Sequence, residues 1–127
     1  MNAQDKASQV AFACDLTALT REQRAQHQAT TSKLFAAVQA IRELDSGYAF
    51  QLPQDAVWLS RAAEFIALER LCCPFFAFDL EVEPHGGPVW LRLTGREGIK
   101  AFILAELGPH LAPEQVTNRL HKREGAK

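Results

Sequence analysis

The sequence predicts an α+β domain with a four-stranded, mostly antiparallel sheet and three helices on one of its faces, in the order β-α-β-α-β-β-α. Three observations lead there. Four short stretches alternate apolar and polar residues, as half-buried strands do. Helical periodicity with start and stop signals fills three other stretches. The chain has 127 residues, 47% of them hydrophobic, which suits one core that needs no structural cross-link.

The elements follow in order. Val10, Phe12, Cys14 and Leu16 alternate with Ala11, Ala13 and Asp15, predicting a first strand over residues 9–16 with Cys14 on its core side. Thr20 opens the first helix, with Gln23 three residues on in capping-box position. The apolar stripe of Leu34, Val38 and Ile41 carries that helix to about Leu44 and extends backwards through Thr31 to His27 and Arg24. Asp45-Ser46-Gly47 ends it, and Tyr48, Phe50 and Leu52 form a second strand. Pro53 breaks that strand and Asp55 caps a second helix, Ala56 to Cys72, which stops because Pro74 disfavours helical geometry at Cys73.

Phe76, Phe78, Leu80 and Val82 alternate with polar residues in a third strand. A Gly/Pro turn follows, and Val89, Leu91 and Leu93 make the fourth strand, so this pair is the clearest hairpin. Thr94 and Glu97 read as a second capping box before a helix that carries Ile99, Phe102, Ile103 and Leu107 and is stopped by Gly108-Pro109. Residues 1–109 form the single domain. Residues 110–127 are a basic tail, expected to be partly disordered, with one weak turn after Pro113.

Charge and composition exclude several classes. With 14 basic and 15 acidic residues the formal charge is −1, which gives no nucleic-acid or acidic-lipid surface. No apolar run is long enough to span a membrane, and no apolar run follows the N-terminus as in a signal peptide. Three cysteines, an odd number, argue against a disulfide framework. Neighbouring Cys72 and Cys73 would close only a small strained ring, so free thiols and a reducing, cytoplasmic compartment are expected. No phosphate loop, dinucleotide glycine pattern or paired C-x-x-C motif is present.

The candidate chemistry sits at the end of the second helix. On a helical wheel with Trp58 at zero, the apolar arc runs from about 340° at Phe65 to about 100° at Leu59, and Glu69 falls inside it at about 20°. A carboxylate aimed into a core must be paired, protonated or metal-bound. The structural explanation is an ion pair with Arg24, His27 or Arg70. The functional one is service to the thiols at i+3 and i+4, Cys72 and Cys73, where burial would make Glu69 a proton donor or acceptor near neutral pH. Vicinal thiols suit soft ions of low coordination number, of the Cu(I), Hg(II) or As(III) class, better than tetrahedral zinc. Cys14 supplies a possible third sulfur, and His27 a ligand or a partner for Glu69. Each of these also has a core explanation: buried cysteine packs as a small hydrophobe. The negative end of the helix also works against ionisation of the pair.

The string Glu69-Arg70-Leu71-Cys72-Cys73-Pro74-Phe75-Phe76, with the hairpin and Leu93-Thr94-Gly95-Arg96-Glu97-Gly98 after it, resembles a family of small uncharacterised bacterial proteins with an E-R-x-C-C-P-F motif. The resemblance covers about Phe12 to Leu107 and implies a bacterial cytosolic protein. Ala13-Cys14-Asp15 and Cys72-Cys73-Pro74-Phe75-Phe76 are also similar to the two cysteine motifs of bacterial organomercurial lyases. That second resemblance implies Cys14 and Cys73 (or Cys72) as mercury-binding thiols and Asp15 as the acid. On a strand, however, Asp15 points away from Cys14, so Glu69 is the better-placed acid.

The function expected is therefore cytosolic binding of a thiophilic metal or metalloid ion through Cys72 and Cys73, with Cys14, Glu69 and His27 assisting. One alternative is a thiol-dependent enzyme, for redox chemistry or organometal cleavage, with Cys73 as thiol and Glu69 as acid or base. The other is an interaction domain whose cysteines are core. The expected partner is a metal ion or small thiol-reactive ligand.

Overall fold

A computed structural model describes residues 12–115. The elements are helix α1 (Arg21–Ala36), strands β1 (Ala40–Leu44) and β2 (Gly47–Leu52), helix α2 (Ala56–Cys72), strands β3 (Ala77–Val82) and β4 (Val89–Thr94), and helix α3 (Ile99–Leu107). Two 3-10 turns, Leu16–Ala18 and Gly108–His110, flank them. The four strands make one antiparallel sheet in the order β1-β2-β4-β3. This is the α+β fold and four-stranded sheet expected, though the order of elements differs.

Two segments account for the difference. No strand forms at residues 12–15, and Leu16 enters a 3-10 turn capped by the Asp15 side chain, which accepts from Thr17 N–H at 3.0 Å. Residues 9–11 of that expected strand lie outside the described residues. The missing strand is supplied from the stretch assigned to the end of the first helix: α1 stops at Ala36, and β1 turns back through Asp45-Ser46 onto β2. Val38 and Ile41 are buried, so their apolar spacing reports burial correctly. It fits a connector and strand as well as a helix, and pairing with β2, begun by Gln39 N–H to the Gln51 carbonyl at 2.8 Å, decides between them.

Where capping chemistry is strong, the boundaries hold. Thr20 and Gln23 cap α1 reciprocally, Gln23 N–H donating to Thr20 Oγ1 at 3.0 Å and Thr20 N–H to Gln23 Oε1 at 2.9 Å. Helix α2 ends at Cys72, with Cys73 at φ −128° and ψ 72° before Pro74, as the steric restriction on a residue preceding proline requires. The second expected capping box does not form. Thr94 is the last residue of β4, paired with Gly47 and Ala77, and the N-cap of α3 is Gly98.

All three helices lie on one face of the sheet, where Ile41, Phe50, Leu91 and Leu80 stand abreast across the four strands. Phe35 of α1 meets both Phe50 and Phe65 of α2, Phe65 meets Phe78, and Phe102 of α3 meets Phe76. The first three of these contacts are edge-to-face and the last is tilted, and such ring pairs add to the burial term. The opposite face is polar. There Arg42 lies 4.4 Å from the Trp90 ring centre and Arg92 pairs with Glu81 at 2.8 Å, which covers the one large aromatic on that side. Gly47 is obligatory: a β-carbon there would sit 1.9 Å from the Leu93 carbonyl oxygen. A helical turn begins at Pro113, and the remainder of the tail, 116–127, lies outside the described residues. No described helix is long and apolar enough to cross a membrane.

Candidate thiol centre

The site forms where the segment of residues 12–15 crosses the C-terminal end of α2. Asp15 N–H donates to the Cys72 carbonyl at 2.7 Å. Phe12 anchors the other end of the segment, against Phe75, Phe102 and the Arg96 guanidinium. Cys14, held between these two ties, forms a disulfide with Cys73 across 59 residues of sequence. The convergence of Cys14 on Cys73 was expected, but as thiols. Of the three cysteines only Cys72 is free, which corrects the reading of three thiols and no disulfide. The odd count concealed the pair because vicinal cysteines need not share a partner.

Cys72 is buried beside the disulfide, its Sγ 3.7 Å from Cys73 Sγ and 4.0 Å from Glu69 Oε1. Burial above all, and next the Glu69 carboxylate, push the Cys72 thiol up to about 11, with Glu106 and Asp15 pushing the same way. Glu69 is buried on the inward arc of α2, where the helical wheel puts it. Its partner is His27, whose Nε2 stands 2.7 Å from Glu69 Oε1. Arg70 is exposed, and Arg24 instead donates to the carbonyls of Leu16 and Leu19. Stacking on Phe65 fixes the imidazole, with the ring centres 5.4 Å apart. The other ring nitrogen, Nδ1, is buried and has no hydrogen-bond partner among the described residues.

These side chains border a cavity of about 780 Å³ between α1, α3 and the 12–15 segment. Its walls are apolar at Phe12, Leu19, Phe102 and Leu107 and polar at Arg24, Gln28, Thr31 and Glu106. Two ligand-like groupings adjoin it: Cys14, Glu69 and Cys73, and His27, Glu69 and Cys72, the donor atoms of each lying within 4.8 Å of one another. All five residues singled out in the sequence therefore come together. Sequence reasoning missed Glu106, and gave no weight to His110, which bonds Ser32 and lines the cavity. No local signal marks either, because α3 and the turn after it reach the site through tertiary packing, Phe102 lying against Phe12, Phe75 and Phe76. Asp15 turns its carboxylate to Thr17, so Glu69 is the acid nearest the sulfurs by direct contact. Comparison of the chain with protein-family models, curated proteins and solved structures finds no match.

Proposed function

We propose that the reduced protein captures a thiophilic metal or metalloid ion of the Cu(I), Hg(II) or As(III) class through Cys14, Cys72 and Cys73, and that the Cys14–Cys73 disulfide is its closed form. The observation that carries this is the meeting of three sulfurs beside a buried carboxylate and imidazole. A soft ion with metal–sulfur bonds of about 2.3 Å at trigonal angles holds its sulfurs about 4.0 Å apart. The Cys72–Cys73 sulfur separation of 3.7 Å needs little adjustment to match. Glu69, Glu106 and Asp15 surround the sulfurs with negative potential, which attracts a cation and opposes an uncompensated thiolate. An arriving ion displaces the thiol protons, and the Glu69–His27 pair lies where it can accept one.

In the enzyme alternative the thiol is Cys73, which the disulfide with Cys14 holds. The same surroundings weigh against Cys72 taking its place, since a thiol at about 11 is almost wholly protonated at neutral pH. The proposal also sets a condition on the compartment: it must be reducing enough to open the disulfide, as the cytoplasm is.

The test is a competition titration of Hg(II) or Cu(I) on reduced and on oxidised protein, with released protons counted. The reduced form should take up one ion per chain with proton release, weaken as pH falls, and gain about 2.7 kcal/mol of stability at a hundredfold excess of ion over Kd. The oxidised form, left with one buried thiol, should bind far more weakly. Equal binding by both forms defeats the proposal. So does a wild-type melting midpoint that ignores the ion while Cys73→Ser simply melts lower, the result expected of cysteines that are only core.

A further inference from the structure

We propose that Cys14 is a thiolation site, at which a low-molecular-weight thiol entering the cavity attacks Cys14 Sγ and opens the Cys14–Cys73 disulfide. This goes beyond ion binding and does not depend on it.

Access selects the sulfur. Cys14 is half-buried on the cavity wall, whereas Cys72 and Cys73 are each 1% exposed. Thiol–disulfide exchange requires the incoming thiolate to reach one sulfur of the bond, and the sulfur reached determines which mixed disulfide forms. Backbone constraint selects it too. Cys14 lies on a segment with neither helix nor strand, so an added group there need displace only that segment and its two ties, the Asp15 bond to the Cys72 carbonyl and the Phe12 ring contacts. A group on Cys73 would have to displace the end of α2, where Cys73 N–H donates to the Glu69 carbonyl at 2.7 Å. Size then selects the reagent: a cavity of about 780 Å³ falls in the range that admits small molecules and would take a tripeptide thiol but no folded protein.

The step balances. The thiolate RS⁻ forms a bond to Cys14 Sγ as the Cys14–Cys73 bond breaks, and the electron pair leaves on Cys73 Sγ. The S–H of Cys72, 3.7 Å away, is placed to hydrogen-bond that new thiolate, which takes up the proton the incoming thiol lost. A second RS⁻ attacks the R-group sulfur, releasing RSSR and the Cys14 thiol. Two RSH thus become one RSSR while one protein disulfide becomes two thiols.

The experiment uses reduced glutathione with oxidised wild-type protein, quenched in acid over time and digested with trypsin. Cys14 lies on the fragment of residues 7–21 and the vicinal pair on residues 71–92, so the adduct can be placed by mass. A transient adduct is expected on the first fragment in at least tenfold excess over the second. Cys73→Ser treated with glutathione disulfide should accumulate the same adduct on Cys14, and Cys14→Ser should be labelled at least tenfold more slowly at Cys73. A predominant adduct on residues 71–92 overturns the proposal, as does a disulfide that glutathione leaves intact while a dithiol protein reductase opens it. The wild-type time course decides the matter even if either variant fails to fold.

Discussion

His27 Nε2 lies 2.7 Å from Glu69 Oε1 across 42 residues of sequence, with both side chains 9% exposed. Each explains the other's burial, since an inward carboxylate needs a donor and an inward imidazole needs an acceptor. Removing the imidazole strands the carboxylate and empties the space against Phe65, so His27→Ala should cost about 3 kcal/mol. Glu69→Gln keeps a hydrogen-bonding oxygen and should cost about 1 kcal/mol. The double variant should cost at least about 1 kcal/mol less than the sum of the two, because the pair is coupled. Urea denaturation of the four proteins measures this; simple additivity would mean the contact contributes nothing.

Glu69 also acts on its sulfur neighbour. Because its carboxylate is among the causes that raise the Cys72 thiol, Glu69→Gln should lower the pH at which Cys72 ionises in oxidised protein, where it is the only free thiol. Ultraviolet absorbance of the thiolate, followed as pH is raised, reads the shift directly. An unchanged or higher midpoint in the variant would contradict the assignment.

The same thiol predicts how stability responds to alkali. Cys72 is raised from its ordinary 9.0 to about 11 in the folded chain. Between those values the unfolded chain has lost the proton and the native chain keeps it, so the unfolded state binds fewer protons and stability falls as pH rises. Below pH 9 both states hold the proton and Cys72 contributes no slope. Cys72→Ala should flatten the decline between pH 9 and 11, and other groups titrating in that window cancel in the comparison. Parallel slopes for wild type and variant would refute it.

The disulfide closes a loop across 59 residues, and restricting the unfolded chain over such a loop is worth about 4 kcal/mol in the entropic account, commonly less in practice. Reduction should therefore lower stability by about 2–4 kcal/mol without unfolding the sheet, since none of its strands contains Cys14 or Cys73. Denaturation of the oxidised and reduced forms with far-ultraviolet circular dichroism checks both parts. Loss of the sheet signal on reduction alone would show that the 12–15 segment is essential to the fold.

Glycine substitutions test the sheet. Gly47→Ala puts a methyl group 1.9 Å from the Leu93 carbonyl oxygen and should cost about 3 kcal/mol or more, because β2 must move away from β4. Gly86→Ala meets no atom within 4 Å and is opposed only by its φ of +71°, so about 1 kcal/mol is expected. Similar losses at both positions, measured by thermal unfolding, would place the β2–β4 pairing in error.

Much of this was written locally. Thr20 with Gln23 set the start of α1, Pro74 set the end of α2, and alternation from Phe78 to Leu93 set the β3–β4 hairpin. Each depends on sterics or hydrogen bonds within a few residues, which a linear sequence records. The inward position of Glu69 likewise follows from helical geometry alone. Other features depended on partners far along the chain. Residues 38–44 fit helix or strand equally well until β2 offered them a ladder, and residues 12–15 lost their alternation to the Asp15 turn and the aromatic contacts of Phe12. The choice of His27 over Arg24 or Arg70 as the partner of Glu69 came from how α1 packs on α2. Linking Cys14 to Cys73 while leaving Cys72 free came from which sulfur the crossing segment reaches. Periodicity determines which side chains turn inward; which of them then touch is decided only when the helices close over the sheet, because contact needs a distance and sequence spacing supplies only a direction.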